Sequence, residues 1–191
     1  MELLEQAILE KGKVLAGDVL KVGSIINNQI DVKLLAALAE DICAHFKGRG
    51  ITKVLTVEAS GIAVAVLVAE RLGVNAVFAK KSKTSNVDGE VYCAGCYSYT
   101  HQKKNTLIVP KEYIENTDKI LIADDFLANG EAVTALSEII RQAGAEAVGA
   151  AIAIEKGFQG GGDRLRAAGL DVYSCAIIDS MSEGKIVFRK L

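Results

Sequence analysis

The chain has 191 residues, of which 50% are hydrophobic and 24% are charged. This length suits one globular domain, and the composition supports a substantial core and argues against disorder. The formal net charge is −2 at pH 7. A protein that binds nucleic acid usually carries a basic surface, so we expect no nucleic-acid partner.

The apolar segments give no sign of a membrane or export signal. The N-terminal residues alternate charged and apolar side chains and lack an apolar signal core. The longest apolar run, residues 62–69, is far shorter than the roughly 20 residues that cross a bilayer. We therefore expect a cytoplasmic protein with no membrane partner.

The four cysteines do not define a metal site. Cys43 and Cys175 lie in hydrophobic sequence, which is typical of small buried thiols. Cys93 and Cys96 have C-x2-C spacing, but no second cysteine or histidine pair completes a zinc site. We therefore expect no bound metal from these residues, and metal or redox chemistry at the C-x2-C pair is the less favoured alternative.

The N-terminal third is predicted to contain two helices joined by short extended pieces. Apolar residues at helical spacing predict a helix over residues 1–11. Residues 14–30 follow with short extended segments. Asp31 then has the character of an N-cap for a second helix over residues 32–46.

From residue 51 onward, strands and helices alternate. This alternation predicts an α/β fold with a central, mainly parallel sheet flanked by helices, in which ligands bind at the carboxyl ends of the strands. The predicted strands are residues 51–57, 74–78, 119–123, 147–154 and 172–178, and the helices are residues 62–72, 131–143 and 163–168. A hairpin of residues 91–99 and 105–109, and a glycine-rich loop at residues 157–162, complete the pattern.

The loop after the third of these strands carries the strongest functional pattern. Asp124 and Asp125 follow a hydrophobic strand directly, where two carboxylates are costly unless they have a role. Asn129 and Gly130 then tolerate positive φ just before a helix begins. Backbone N–H groups at such a turn suit a phosphate, and neighbouring carboxylates suit sugar hydroxyls. The pattern predicts a sugar-phosphate site; the alternative is an ordinary turn whose acids favour the helix dipole.

This motif resembles the phosphoribosyl diphosphate signature of type I phosphoribosyltransferases. The segments EASGIA at residues 58–63 and IEKGFQ at residues 154–159, with Leu20 and Asn27, resemble bacterial xanthine phosphoribosyltransferases. The resemblance covers essentially the whole chain. Adenine- and hypoxanthine-type enzymes usually carry hydroxyl residues where this chain has Asn129 and Ala132, and this departure favours the xanthine type.

The resemblance implies the type I phosphoribosyltransferase fold in a single domain over residues 1–191. Within it, residues 1–35 contribute to a small hood over the base, and residues 82–106 form a flexible flap. The implied activity joins xanthine to 5-phosphoribosyl diphosphate, giving xanthosine 5′-monophosphate and diphosphate in purine salvage. Mg²⁺ is then bound mainly through the substrate diphosphate, and the family suggests a homodimer.

The resemblance also implies roles for individual residues. Asp124 and Asp125 meet the ribose diol and act in catalysis, without an assignment of which one is a base. Lys156 donates to a carbonyl of xanthine, Phe158 stacks on the purine, and Leu20 and Asn27 cover the base. The residues expected to bind phosphoribosyl diphosphate are Ala59, Ser60, Gly61, Lys81, Ala128, Asn129, Gly130, Glu131 and Ala132.

Two alternatives stay open at this stage. The first is an enzyme of the same fold that acts on another purine, such as adenine, hypoxanthine or guanine. The second is a regulator that senses phosphoribosyl diphosphate without catalysis. Regulators of that kind that bind DNA need an added helical domain, for which residues 1–31 are too short.

Overall fold

The structure, a computed structural model, describes residues 1–81, 89–98, 103–182 and 185–190. The helices are α1 (Glu2–Lys11), α2 (Val32–His45), α3 (Gly61–Leu72), α4 (Glu131–Ala143) and α5 (Gly161–Ala167). The strands are β1 (Lys13–Leu15), β2 (Val19–Lys21), β3 (Lys53–Val57), β4 (Asn75–Ala79), β5 (Val91–Ser98), β6 (Lys103–Pro110), β7 (Lys119–Leu127), β8 (Glu146–Lys156), β9 (Val172–Ser182) and β10 (Lys185–Phe188). Short helical turns lie at Gly23–Asn27, Lys111–Tyr113 and Gly157–Gln159.

A six-stranded sheet in the order β10-β9-β8-β7-β3-β4 forms the centre of the molecule. The five strands from β9 to β4 run parallel, and β10 pairs antiparallel with β9 at one edge. The prediction of an α/β fold with a central, mainly parallel sheet flanked by helices is confirmed. The antiparallel strand β10 was not predicted.

Both faces of the sheet are covered, which explains the continuous apolar runs in its strands. Leu121 and Ala123 of β7 pack on the side that holds α1, α2 and α3, whereas Ile120 and Ile122 pack on the side of α4 and the β5–β6 hairpin. The strand ends are therefore held by two separate hydrophobic layers.

Several element boundaries differ from the predicted ones. The third predicted strand does not stop at residue 123: β7 continues to Leu127 because Asp124, Phe126 and Leu127 keep pairing with β8. The segment of residues 14–30, predicted to hold short extended pieces, contains the β1–β2 hairpin and then a helical turn that was not predicted. The predicted loop at residues 157–162 is a helical turn that leads into the start of α5.

Other local predictions agree with the structure. The carboxylate of Asp31 accepts the Leu34 N–H at 3.2 Å and so caps α2. The predicted hairpin is present as β5 paired antiparallel with β6. The predicted flap, residues 82–106, lies partly outside the described residues. Among the residues that the structure describes, no helix is long and apolar enough to cross a membrane.

Candidate active site

A cavity of about 910 Å³ opens at the carboxyl ends of β3, β7 and β8. This volume lies within the range of small-molecule sites. The sequence-predicted residues that line it are Ala59, Ser60, Gly61, Lys81, Asp124, Asp125, Ala128, Asn129, Gly130, Glu131, Ala132 and Lys156. The structure thus brings four separate segments of the chain, at the ends of β3, β4, β7 and β8, to one cavity, as the parallel sheet requires.

Asp124 and Asp125 meet this cavity in different environments. Asp124 is only 7% exposed, and its Oδ1 accepts the Asp125 N–H at 3.0 Å. Burial, together with the adjacent charge of Asp125, raises the pKa of Asp124 well above its ordinary value. Asp125 is half-buried, and its carboxylate accepts a hydrogen bond from the Asn27 side chain at 2.7 Å. Burial and the neighbouring charge of Asp125 therefore both oppose ionisation of Asp124.

The turn that follows β7 has the backbone shape of an anion site. Gly130 has φ of 78° and lies immediately before α4. A Cβ at this position would lie 3.2 Å from the Leu165 side chain, so both backbone geometry and packing favour glycine. Among the described residues, no side chain caps the start of α4. The N–H groups of its first turn are therefore available to a phosphate.

The loop after β3 approaches Asp124 closely. A Cβ on Gly61 would lie 2.6 Å from Asp124 Oδ1 and would also overlap the Thr56 hydroxyl. Only glycine therefore lets α3 begin at this distance from β7. The Thr56 hydroxyl is buried and has no hydrogen-bond partner among the described residues. The peptide bond between Glu58 and Ala59 is cis.

Glu58 is a cavity residue that was not singled out from the sequence. Its carboxylate accepts the Lys81 N–H at 2.8 Å, which connects the loop after β3 to the end of β4. Lys81 is exposed and also lines the cavity. One acidic and one basic side chain thus lie beside the small residues 59–61.

Lys156 marks the other end of the cavity. Its Nζ donates to the Asp18 carbonyl at 2.8 Å and lies 5.9 Å from the centre of the Phe126 ring. Burial lowers the pKa of Lys156, and the negative charge of Asp18 opposes this shift. The turn between β1 and β2, which contains Asp18, therefore covers the cavity above this lysine.

Comparison with known proteins identifies the family. The sequence profile described as "Phosphoribosyl transferase domain" matches residues 21–175. The xanthine phosphoribosyltransferase of Bifidobacterium longum is 49% identical, over 99% of this chain and 100% of its own length. That of Alkaliphilus metalliredigens is 48% identical, over 99% of this chain and 94% of its own. The chain belongs to the phosphoribosyltransferase family.

Solved structures of other phosphoribosyltransferases share the fold. Adenine phosphoribosyltransferase from Rhodothermus marinus matches with a TM-score of 0.76 at 22% identity, covering 93% of this chain and 99% of that one. The Giardia lamblia enzyme, described as complexed with 9-deazaadenine, matches with a TM-score of 0.75 at 24% identity, covering 91% and 96%. The prediction of a type I phosphoribosyltransferase fold is confirmed. The predicted resemblance to the bacterial xanthine type is confirmed by the curated relatives.

Three residues predicted to contact the base do not line the cavity of this phosphoribosyltransferase. Leu20 is buried in the hydrophobic layer that includes α1 and α2. Asn27 reaches the site indirectly, through its hydrogen bond to Asp125. Phe158 is 36% exposed and lies in the helical turn after β8. Their contact with the base therefore stays a prediction.

The cavity also has wall residues that sequence reasoning did not single out. Besides Glu58, they include Gln159, Cys96, Asn105 and the β1–β2 turn at residues 16–19. Gln159 belongs to the IEKGFQ segment, so its motif was recognised without its role. The carbonyl of Asp18 has no signal in the sequence, because any residue type supplies a backbone carbonyl.

Behind the cavity, Glu155 forms a buried ion pair. Its side chain is fully buried, and Arg166 donates to both carboxylate oxygens at 3.0 and 2.7 Å. The Ser174 hydroxyl donates to the same carboxylate. Because Glu155 immediately precedes Lys156, this pair fixes the end of β8 at the Lys156 side of the cavity. Sequence reasoning treated Glu155 only as part of a motif.

The described residues contain no cluster of three or more His, Cys, Asp or Glu groups that could hold a metal ion. Cys93 is exposed and Cys96 half-buried, and both thiols are free. Their odd spacing along β5 places them on opposite faces of the strand. Burial raises the pKa of the Cys96 thiol, which disfavours the thiolate needed for metal binding or redox reactivity.

Proposed function

We propose that this phosphoribosyltransferase is a xanthine phosphoribosyltransferase of purine salvage. It transfers the phosphoribosyl group of 5-phosphoribosyl diphosphate to xanthine, giving xanthosine 5′-monophosphate and diphosphate. One observation carries the proposal: a single cavity joins an Asp124–Asp125 pair, a phosphate-type turn and the half-buried cation of Lys156. The names of the curated relatives support the choice of base.

The substrate lies across the strand ends in this proposal. Residues 128–132 hold the 5-phosphate, and Asp124 and Asp125 accept hydrogen bonds from the ribose hydroxyls. The diphosphate lies against residues 59–61 and Lys81. As the bond from carbon 1 of the ribose to the diphosphate oxygen breaks, nitrogen 9 of xanthine forms the new bond to that carbon. The base gives up one proton to water or to the departing diphosphate. Positioning and charge stabilisation supply most of the rate enhancement.

We propose Mg²⁺ as the cofactor, bound mainly through the substrate diphosphate. The oxygen ligands that Mg²⁺ prefers are available at the cavity from the carboxylates of Glu58 and Asp125. When bound, the ion neutralises charge on the leaving diphosphate. The chain's own contribution is to orient the diphosphate with Ser60 and Lys81 and to shield the ribosyl centre from water.

Lys156 determines the choice of base. Its ammonium group has three donors and no acceptor, so it pairs with a carbonyl of xanthine and not with the amino group of adenine. Phe158 stacks on the purine, Leu20 covers it, and Asn27 exchanges its bond with Asp125 for one to the base.

The chain is further proposed to work as a cytoplasmic homodimer. Sedimentation at micromolar protein concentration tests the dimer, and a monomer alone would contradict it.

The activity is tested by diphosphate release with xanthine, guanine, hypoxanthine and adenine as competing substrates. We expect xanthine to have the highest kcat/KM. A clear preference for adenine would contradict the role of Lys156. No turnover with any purine would contradict the enzyme and would favour a sensor of phosphoribosyl diphosphate.

We predict that Lys156→Gln lowers kcat/KM for xanthine by roughly 10- to 100-fold, because a charged donor is lost from a half-buried site. The loss with adenine is much smaller, since that base gains nothing from the ammonium group. Lys185→Gln, at an exposed lysine on strand β10, is the matched control and leaves both values unchanged. Equal losses with both bases would show that Lys156 does not select the base.

A further inference from the structure

Helix α5 packs behind two loops that the proposed function assigns to opposite ends of the nucleotide. A Cβ on Gly161 would lie 2.7 Å from the Gly130 nitrogen and would overlap the Ala128 carbonyl. A Cβ on Gly162 would lie 2.5 Å from the Glu155 carboxyl carbon. The first turn of α5 therefore touches the phosphate turn, residues 128–132, and the end of β8 at the same time.

Arg164 joins the same two loops through its guanidinium group. Its Nη2 donates to the Asn129 carbonyl at 3.0 Å, and its Nη1 lies 3.5 Å from the Gln159 carbonyl. Asn129 belongs to the phosphate turn, and Gln159 follows Lys156 in the base loop, residues 156–159. The planar guanidinium has donors at fixed angles, so one side chain sets the spacing between two carbonyl groups.

The surroundings of Arg164 fit this bridging role. Its Nη1 would lie 3.3 Å from a Cβ on Gly160, so the absence of a side chain there lets the guanidinium lie close to the base loop. Arg164 forms no ion pair within the described part of the chain, and its contacts are to carbonyls. The C=O and N–H of a trans peptide point in opposite directions. A held Asn129 carbonyl therefore also fixes the direction of the Gly130 N–H.

We propose that Arg164 is a positioning residue that holds the phosphate turn and the base loop at a fixed separation. The binding of the phosphate end and the base end of the nucleotide is then coupled through this side chain. The inference rests on the proposed function, because that function assigns the two loops to the two ends of one ligand. Arg164 does not line the cavity.

Calorimetric titration with three ligands tests the coupling. Dissociation constants are measured for ribose 5-phosphate, xanthine and xanthosine 5′-monophosphate. The coupling ratio is the product of the dissociation constants of ribose 5-phosphate and xanthine, divided by that of xanthosine 5′-monophosphate. It measures how much more tightly the two ends bind when they belong to one molecule. For Arg164→Ala we expect this ratio to fall about tenfold, as for loss of charge-assisted hydrogen bonds. Arg141→Ala, an exposed arginine on α4, is the control and leaves the ratio unchanged.

Two further results separate bridging from simpler effects. If the substitution only loosened the phosphate turn, the binding of ribose 5-phosphate and of the nucleotide would weaken equally and the ratio would stay unchanged. An unchanged ratio would therefore overturn the proposal. Arg164→Lys keeps the charge but cannot span two carbonyls, so we expect the ratio to fall here too; a wild-type ratio would also overturn it. Wild-type protein that binds neither xanthine nor the nucleotide would contradict the proposed function itself.

Discussion

Replacing Asp124 by asparagine is expected to lower kcat/KM by roughly 10²- to 10³-fold, a range typical of a lost electrostatic or proton-transfer group in an active site. The substitution removes the carboxylate that is proposed to meet the ribose and keeps the shape of the side chain. The asparagine oxygen still accepts the Asp125 N–H, as Asp124 Oδ1 does.

The same substitution is expected to stabilise the free protein at neutral pH. The pKa of Asp124 is raised by burial and by Asp125, so ionising this carboxyl costs folding free energy. The pKa of Asp124 is higher in the folded than in the unfolded protein. The free-energy cost of ionising it is therefore absent below the unfolded-state pKa and grows as the pH rises from that pKa to the folded-state pKa. Asp124→Asn should therefore add roughly 1–2 kcal/mol at pH 7, a gain typical of removing a strained active-site group.

Urea unfolding of the wild type and of Asp124→Asn between pH 4 and pH 8 measures this gain in stability. The gain in stability should shrink as the pH falls towards 3.8, the ordinary pKa of an aspartate.

The double substitution of Asp124 and Asp125 by asparagine should also lose turnover with little loss of fold. Asp171→Asn, at the opposite end of the sheet, is the matched control and keeps turnover. Near-normal activity of the double variant would contradict the assignment of the pair.

The carboxylate pair was predictable because local sequence carries its signal. Acids directly after a buried hydrophobic strand are unusual. The glycine turn that follows them, just before a helix, indicates a site that binds an anion. The length of β7 was not predictable in the same way. Asp124 lies within the strand because β8 keeps pairing beyond it, and pairing with a neighbouring strand is a tertiary property that hydrophobic pattern does not encode.

Contacts between distant parts of the chain account for the other differences. The bond from Lys156 to the Asp18 carbonyl spans 138 residues, and no local pattern signals its acceptor. Leu20 is expected to cover the base but does not line the cavity, and its contact with the base stays a prediction. A single apolar residue in a short strand has no feature that separates a cavity wall from a core position. Its burial in the layer of α1 and α2 is decided by how the β1–β2 hairpin packs.

The support behind the site was also hidden from local sequence reasoning. Glu155 belongs to a sequence motif at the end of a strand, where a residue is expected to face a ligand. Its carboxylate instead faces Arg166 and Ser174. The arginine follows 11 residues later, on another element. A buried acid can be recognised only when its partner is known, because an isolated one would be too costly.

This ion pair gives the prediction with the largest expected effect on stability. Arg166→Met removes both hydrogen bonds to the fully buried Glu155 carboxylate, and the Ser174 hydroxyl alone cannot compensate for the lost charge. We expect the free energy of unfolding to fall by roughly 3–5 kcal/mol, the usual cost of leaving one member of a buried pair without its partner. Urea unfolding at pH 7 measures the change.

The double variant Glu155→Gln with Arg166→Met distinguishes an unpaired charge from lost packing. Once both charges are removed, the glutamine amide still pairs with Ser174, so much of the stability should return, as is often found when a buried pair is replaced by neutral groups. Arg141→Met breaks an ion pair of similar geometry on α4, where the arginine is 75% exposed, and should change stability little. If the double variant is as unstable as Arg166→Met alone, the pair matters through packing at α5 and not through its charge.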